Sequence, residues 1–211
     1  MASDRAPADP TPPADLAERT LSLTAIEGPA WRVYPGARGA EHFNKQDGRF
    51  NDPQRQYGVL YAAQTEVGAF AERLLLGSGL FGNSGGMVGA GVPVSETALQ
   101  TFSIAAITFA QPVRCVDLRT ATGLKQIGAG PWLLTAPHAV SKRWSRPIFL
   151  HPSAPEGIVW NSRVGKGVVS LGFHERAKPK IAAQNLGPLI RHRKLLADVI
   201  RQFGVVIVPS A

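Results

Sequence analysis

Two charged residues of this sequence lie in stretches whose other residues suit a protein interior. At 3.6 residues per turn, the stretch 66–76 predicts an amphipathic helix, and Glu72 falls beside its apolar face among small and apolar neighbours. Arg32 occupies an otherwise apolar strand segment, residues 31–34, so its guanidinium needs an anion. A buried carboxylate can stabilise a nearby positive charge, and a guanidinium can bind phosphate through two parallel hydrogen bonds. The structural alternative for each residue is a salt bridge in the core.

Three further polar residues can serve a binding site, although each also fits an ordinary structural role. Arg49 lies in a polar loop, where it can bind a phosphate group or remain a solvated surface arginine. Tyr61, in a buried strand predicted over residues 58–63, can stack on a planar ring, and Ser162 can hold a ligand group by hydrogen bonding. We assign Ser162 a positioning role and not a nucleophilic one, because no His–Asp pair is visible at a matching motif.

The sequence lacks the patterns that usually mark a metal site or a nucleotide-binding loop. Its five histidines are scattered without a metal-ligand spacing, so we expect no metal ion. Cys115 lies in an apolar stretch and is predicted to be a core residue. The glycines of residues 77–82 match a dinucleotide-binding string, but a helix precedes them and more glycine follows, which excludes that motif. Residues 77–91 are predicted to form an irregular loop or a mobile flap.

The elements that must position these residues are short and of mixed type. Thr65 is the predicted N-cap of the helix over residues 66–76, and Pro137 opens a second predicted helix over residues 138–145. Strand patterns occur at residues 31–34, 58–63, 101–109, 113–118, 157–161, 167–173 and 204–208. Because strands and helices do not alternate regularly, the sequence predicts an α+β fold and not a doubly wound sheet.

Length and composition indicate one globular domain. The chain has 211 residues, of which 44% are hydrophobic and 18% are charged, enough for one core but not comfortably for two. Residues 1–20 are rich in proline and are predicted to form a flexible leader, and residues 21–211 the single domain. With one cysteine, no signal-peptide pattern and no apolar run long enough to span a bilayer, we expect a cytoplasmic protein without membrane insertion.

The formal net charge of +8 is compatible with nucleic acid, an acidic protein or a phosphorylated small molecule as partner. Many basic residues fall late in the chain, between residues 176 and 201, where we interpret them as a solvated helical face. A basic nucleic-acid-binding protein is the alternative from another functional class. We expect no direct nucleic-acid contact, because no RNA- or DNA-binding signature is present and the aromatic residues do not interleave with the basic ones.

Three blocks of the sequence together resemble the RES family, a branch of the ADP-ribosyltransferase-like fold found in toxins of bacterial toxin–antitoxin pairs. The first contains an early arginine strand and a glycine-arginine-aromatic-asparagine turn. The second leads from a tyrosine strand into the glutamate helix, and the third contains a serine strand. In order, the blocks cover residues 31–34 with 47–51, 58–63 with 69–72, and 155–163 with 171–176.

This resemblance implies a fold with a central split β-sheet core and flanking helices. It also implies cleavage of the nicotinamide–ribose bond of NAD⁺, which depletes NAD⁺ and arrests growth. NAD⁺ would be the substrate, no cofactor would be required, and water or inorganic phosphate would be the acceptor. Transfer of ADP-ribose to a cellular protein is the alternative. The family further implies a cognate antitoxin, typically a small DNA-binding protein, for which we expect an interface at residues 77–91 or at the basic tail.

The resemblance also assigns roles to residues of this chain. Glu72 would hydrogen-bond the ribose hydroxyls and stabilise the positive charge that develops on the sugar. Arg32 and Arg49 would hold the two phosphates of NAD⁺. The expected catalytic residues are Glu72, Arg32 and Ser162, and the expected substrate-binding residues are Arg49, Tyr61, Asn51 and Asn161.

Overall fold

A computed structural model describes residues 8–46, 48–76, 91–165 and 167–209 of the chain. Within these ranges there are ten strands and six α-helices, which confirms the α+β class. The strands are β1 (Leu23–Ile26), β2 (Ala30–Pro35), β3 (Val59–Ala63), β4 (Val92–Ser95), β5 (Phe102–Phe109), β6 (Val113–Asp117), β7 (Gly157–Asn161), β8 (Val169–His174), β9 (Ile181–Pro188) and β10 (Val205–Val208). The helices are α1 (Glu66–Phe70), α2 (Glu96–Thr101), α3 (Ala121–Gln126), α4 (Trp132–Thr135), α5 (His138–Leu150) and α6 (Arg193–Phe203).

Eight strands form one large sheet in the order β1-β6-β7-β8-β3-β2-β5-β9. Strands β6 and β7 run parallel, and all other neighbours in this sheet are antiparallel. Strands β4 and β10 pair in parallel as a separate two-stranded sheet. The middle strands β3 and β8 are mostly buried along their length, as expected of strands whose two faces are both covered.

The large sheet is split between β2 and β3. These two strands pair at one position, Trp31 opposite Ala63, whereas β2 pairs with β5 at six positions and β3 with β8 at five. Away from the Trp31–Ala63 pair the two strands therefore separate, and the backbone of neither fills the gap. Side chains from both strands face this gap, which makes it the natural place for a ligand.

Helices cover both sides of the sheet and complete the core. One buried cluster lies beneath α1 and α6, and a second lies beneath α5. The largest fully buried side chains of the first cluster are Phe70, Leu75, Leu99, Ile104 and Phe203; those of the second include Phe50, Leu118, Ile127 and Trp144. Each such side chain contributes about 1.5–3 kcal/mol by leaving water, so these clusters hold the helices against the two halves of the sheet.

The helix that carries Glu72 is not uniform. As predicted, Thr65 is its N-cap and accepts a hydrogen bond from the backbone nitrogen of Gly68 at 3.0 Å. The α-helix ends at Phe70, however, and a π-helical turn, Ala71–Leu75, follows. The wider turn rotates the later side chains relative to an α-helix, and the exposed Arg73 lines the same gap as Glu72.

The segment before β1 packs against the domain. Leu16, in a short 3₁₀ turn (Leu16–Glu18), is 2% exposed and belongs to the cluster beneath α5. Arg143 of α5 donates a hydrogen bond to the carbonyl of Pro10 and forms an ion pair with Asp9. Within the leader expected over residues 1–20, residues 8–20 therefore contact the domain; residues 1–7 lie outside the described residues.

Other elements differ from the prediction in length or were not predicted. Helix α5 continues beyond residue 145 to Leu150, through Pro147. Strands β1, β4 and β9 and helices α2, α3 and α4 were not predicted. Of the late basic residues expected on a helical face, those on α6 include Lys194 and Arg201, which are exposed and both pair with Asp198. The others lie in 3₁₀ turns: Arg176, Lys178, Lys180 and Arg191. Among the described helices, none is both long and apolar enough to cross a membrane.

Candidate functional site

A cleft of about 240 Å³ opens where β2 and β3 separate. Its walls come from β2, β3, the π-helical turn, the loop before β3 and the neighbouring strands β7 and β8. Its charged and polar lining includes five arginines but one carboxylate among the described residues. This polar set is Arg32, Arg38, Arg49, Arg73, Arg163, Glu72, Ser170, His42, His138 and Asn44, and the aromatic set is Trp31, Tyr34, Tyr61 and Trp160.

Glu72 reaches the cleft from the π-helical turn and is half-buried. The hydroxyl of Ser170, a residue of β8 that is 1% exposed, donates to Glu72 Oε1 at 2.7 Å. This bond fixes one carboxylate oxygen. Because the backbone of β8 is held on both sides by β3 and β7, Ser170 is a rigid support for that carboxylate.

Arg32 projects into the cleft from β2 and is 8% exposed. Its Nε and Nη1 atoms are buried and have no hydrogen-bond partner among the described residues. Burial and, secondly, the positive charge of Arg73 lower the pKa of Arg32 to about 10, so it remains charged at neutral pH. A buried guanidinium without partners is costly, and an anion bound in the cleft would relieve that cost.

Arg49 is also buried, at 6% exposed, but its guanidinium is partly used by the fold. Its Nη1 atom donates to the carbonyls of Leu133 and Ala136, at 3.2 and 2.9 Å. Burial and, secondly, the charge of Arg163 lower the pKa of Arg49 to about 10, while Glu72 acts in the opposite direction. Arg49 therefore secures the segment around α4 to the cleft wall and still contributes positive charge to it.

Tyr61 presents its ring to the cleft from β3, while its hydroxyl is bound on the far side. The hydroxyl donates to Asn51 Oδ1 at 2.7 Å and accepts from the backbone nitrogen of Phe50 at 3.0 Å. Burial raises the pKa of Tyr61, which keeps the phenol neutral. Gly48 is needed beside this network, because an added Cβ would come within 2.5 Å of the Tyr61 hydroxyl oxygen.

The structure corrects the expected role of Asn51. Its side chain is 0% exposed, its amide nitrogen donates to the carbonyl of Asn44, and its oxygen accepts from Tyr61. It does not line the cleft, so it is not placed to bind substrate directly. Asn51 instead orients the tyrosine that does reach the cleft. The sequence block that contains it was informative about packing and not about substrate contact.

Ser162 and Asn161 likewise lie outside the cleft lining. Ser162 Oγ accepts from the backbone nitrogen of Val164 at 3.0 Å and so stabilises the turn that follows β7. Asn161 is exposed, and its amide donates to the carbonyl of Arg119. The serine that reaches the cleft is Ser170, eight positions later on the next strand. The sequence placed the site serine at Ser162, whereas in the structure the turn after β7 directs that hydroxyl inward to the backbone.

Several cleft residues were missed altogether from the sequence. Ser170 had one available signal, since it is a hydroxyl residue between Val169 and Leu171 in an apolar strand. Arg38, Arg73 and Arg163 had none, because an arginine in a loop or on a helix is ordinary. In the part of the chain that the structure describes, no group of three potential metal ligands is found. Cys115 is buried, and burial raises the pKa of its thiol, so it is not poised to react.

A family model, a curated relative and a solved structure are similar to this chain. The sequence matches the RES domain over residues 22–210. It is 32% identical over 116 residues to "Probable toxin y4kH" of Sinorhizobium fredii (strain NBRC 101917 / NGR234), an alignment covering 55% of this chain and 91% of that protein. The fold is similar to a chain in the crystal structure of the M. tuberculosis MbcT–MbcA toxin–antitoxin complex, with a TM-score of 0.61 and 14% identity, over 88% of this chain and 98% of that one.

Proposed function

The chain belongs to the RES-domain family, and we propose that it is the toxin of a toxin–antitoxin pair that cleaves the nicotinamide–ribose bond of NAD⁺ in the cytoplasm. The observation that carries the proposal is the presence, in one cleft, of a supported carboxylate, Glu72, and a buried guanidinium without partners, Arg32. Cleavage of the nicotinamide–ribose bond of NAD⁺ leaves positive charge on the ribose, which a carboxylate can stabilise. The diphosphate of NAD⁺ is an anion that a buried guanidinium can bind.

Glu72 would act at the breaking bond. When C1′ of the ribose separates from the nicotinamide nitrogen, the bonding electron pair goes to the nitrogen, which becomes neutral, and positive charge develops on the sugar. A carboxylate fixed beside that sugar is more strongly attracted to the transition state than to the ground state. The hydrogen bond from Ser170 leaves Glu72 Oε2 available for the ribose and limits the carboxylate to one orientation.

The diphosphate would pair with Arg32, whose Nε and Nη1 supply donors for phosphate oxygens. Arg49, with Nη1 already bound to carbonyls, would add charge from the other wall. The planar nicotinamide would lie against an aromatic wall, for which Tyr61 and Trp160 are the candidates; their ring centroids are 6.2 Å apart at a steep angle. This pose places the reactive bond between the aromatic wall and the phosphates.

Either water or inorganic phosphate can complete the reaction. The acceptor oxygen forms the new bond to C1′, and with water a proton is released.

An HPLC time course of NAD⁺ with purified protein, with and without inorganic phosphate, tests the proposal. We expect nicotinamide release. Phosphate-dependent release identifies phosphorolysis, and phosphate-independent release identifies hydrolysis. If NAD⁺ stays intact alone but labels a protein band in lysate, the chain is an ADP-ribosyltransferase; if neither occurs, the proposal is wrong.

An antitoxin partner is part of the same proposal. It is supported by the similarity in fold to a chain from the MbcT–MbcA complex and by the net charge of +8, which suits an acidic contact surface. Of the two expected interfaces, residues 77–90 lie outside the described residues, and α6 presents a basic exposed face. Co-expression with the protein encoded next to this chain should suppress nicotinamide release; undiminished release with the two proteins bound would contradict inhibition by that partner.

A further inference from the structure

Four of the five cleft arginines fall into an inner and an outer set, and the fifth, Arg163, is half-buried. Arg32 and Arg49 are buried and are assigned above to the diphosphate of NAD⁺. Arg38 and Arg73 line the same cleft but are exposed, which places them at its mouth. Neither of these two forms a salt bridge or a side-chain hydrogen bond among the described residues. The outer pair, Arg38 and Arg73, therefore exceeds what a single diphosphate requires.

Contacts within the fold position the side chain of Arg73 and the backbone of Arg38. The guanidinium carbon of Arg73 lies 5.1 Å from the centroid of the Phe102 ring, a cation–π contact that orients it. Arg38 closes a turn after β2 by donating from its backbone to the carbonyl of Pro35 at 2.8 Å. His42, another lining residue, lies within the electrostatic influence of Arg38 and Arg32.

The positive charges of the cleft arginines repel one another. The charge of Arg38 contributes, after burial, to lowering the pKa of Arg73, and Arg73 does the same to Arg32. Among the described residues that line the cleft, Glu72 is the single carboxylate, and the proposed function assigns it to the ribose. A surface that concentrates cations without a protein counter-ion is typical of a site for a multiply charged anion.

We propose that the outer pair, Arg38 and Arg73, binds an additional phosphate on the adenosine ribose, so that the cleft accepts NADP⁺ as well as NAD⁺. This inference rests on the proposed function. The 2′-phosphate of NADP⁺ is one sugar away from the diphosphate, just as the outer pair lies on the solvent side of the buried Arg32. Its two negative charges match two guanidinium groups that form no salt bridge or side-chain hydrogen bond among the described residues, and arginine binds phosphate oxygens in pairs.

The test compares kcat/KM for NADP⁺ and NAD⁺ in the wild type and in the double variant Arg38→Ala/Arg73→Ala. We expect the wild type to cleave NADP⁺ at least as efficiently as NAD⁺. In the double variant, the NADP⁺-to-NAD⁺ ratio should fall by about tenfold or more, since each charge-assisted hydrogen bond is worth about a factor of ten. The matched control is Arg201→Ala, an exposed arginine of α6 outside the cleft, which should leave the ratio unchanged.

The failure of this inference can be told apart from failure of the proposed function. Cleavage of NAD⁺ but not NADP⁺ overturns the inference and leaves the function standing. If the double variant instead loses only its dependence on inorganic phosphate, the outer pair binds free phosphate and the inference is also wrong. If neither dinucleotide is cleaved, calorimetry decides: binding of 2′,5′-ADP more tightly than 5′-ADP, lost in the double variant, supports the inference, and equal binding contradicts it.

Discussion

On the β2 wall of the cleft, Arg32 is buried with Nε and Nη1 unpartnered, whereas on the wall formed by residues 48–51, the equally buried Arg49 donates to two backbone carbonyls. Burial lowers the pKa of both residues to about 10. The two arginines thus have similar burial and charge but different partners. Arg49 stabilises the folded chain, while Arg32 costs stability until an anion arrives. Burial alone therefore does not identify a ligand-binding arginine; the missing partner does.

The largest difference between the two walls should appear in Arg32→Met. Removing the guanidinium should lower kcat/KM for NAD⁺ by about 10²–10³-fold, because charge-assisted bonds to a desolvated phosphate are lost. The free energy of unfolding should stay equal or rise, because a buried unsatisfied group is replaced by an apolar chain of similar length. Steady-state kinetics and urea unfolding measure both quantities. A loss of stability above about 2 kcal/mol would show that Arg32 has a structural partner.

The opposite effect on the free energy of unfolding is expected for Arg49→Met. The carbonyls of Leu133 and Ala136 would lose their donor, so the free energy of unfolding should fall by about 1–3 kcal/mol. Urea unfolding of this variant beside Arg32→Met gives the comparison directly. If the two variants shift stability in the same direction by the same amount, the distinction between the two walls is wrong.

A buried histidine outside the cleft sharpens the comparison. His174 is fully buried, its Nδ1 bonds the carbonyl of Pro155, and its Nε2 has no partner among the described residues. Burial lowers its pKa to about 4, well below the usual value for histidine, so it avoids the cost of a buried charge by staying neutral. Arginine cannot do this at neutral pH.

As pH falls, His174 is protonated at a higher pH in the unfolded chain than in the folded protein. The folded state should therefore lose stability as pH falls from about 6.5 to about 4. Urea unfolding at several pH values within this window, for the wild type and for His174→Gln, measures the effect. We expect a shallower pH dependence in the variant. Identical pH profiles would show that His174 is not the group responsible.

Of these cleft variants, Tyr61→Phe should have the smallest effect on cleavage of NAD⁺. The ring that faces the cleft is kept, but Asn51 Oδ1 and the Phe50 N–H lose their partner, which should cost about 1–2 kcal/mol of stability. The kcat/KM for NAD⁺ should change less than in Arg32→Met, because the hydroxyl faces away from the cleft. A loss of kcat/KM as large as that of Arg32→Met would place the hydroxyl on the substrate.

Much of the cleft could be predicted from the sequence where local pattern decides the structure. The strands around Arg32 and Tyr61 and the Thr65 N-cap follow from apolar runs and capping chemistry. The lining of the cleft by both Glu72 and Arg32 followed from the ordered blocks of the family. What could not be predicted depends on register: Ser162 and Ser170 both adjoin apolar strands, and only the pairing of β7 with β8 shows which hydroxyl reaches the cleft.

Two other features could not be predicted either. A π-helical turn closes with a wider hydrogen-bonded ring than an α-helix, and the 3.6-residue period does not reveal it, so the position of the exposed Arg73 at the cleft was missed. Strand β9 contains Gln184 and Asn185 and ends at Pro188, a composition typical of a loop. It becomes a strand because β5 offers a free edge over most of its length.

The most direct test of the central claim is nicotinamide release by Glu72→Gln. The control is Glu66→Gln, which changes a carboxylate in the first turn of the same helix, outside the cleft lining. We expect Glu72→Gln to fold as the wild type does and to lose at least about 10²-fold in kcat, because the amide cannot stabilise a cationic sugar. Glu66→Gln should retain wild-type activity. Equal activity of the two variants would contradict a catalytic role for Glu72.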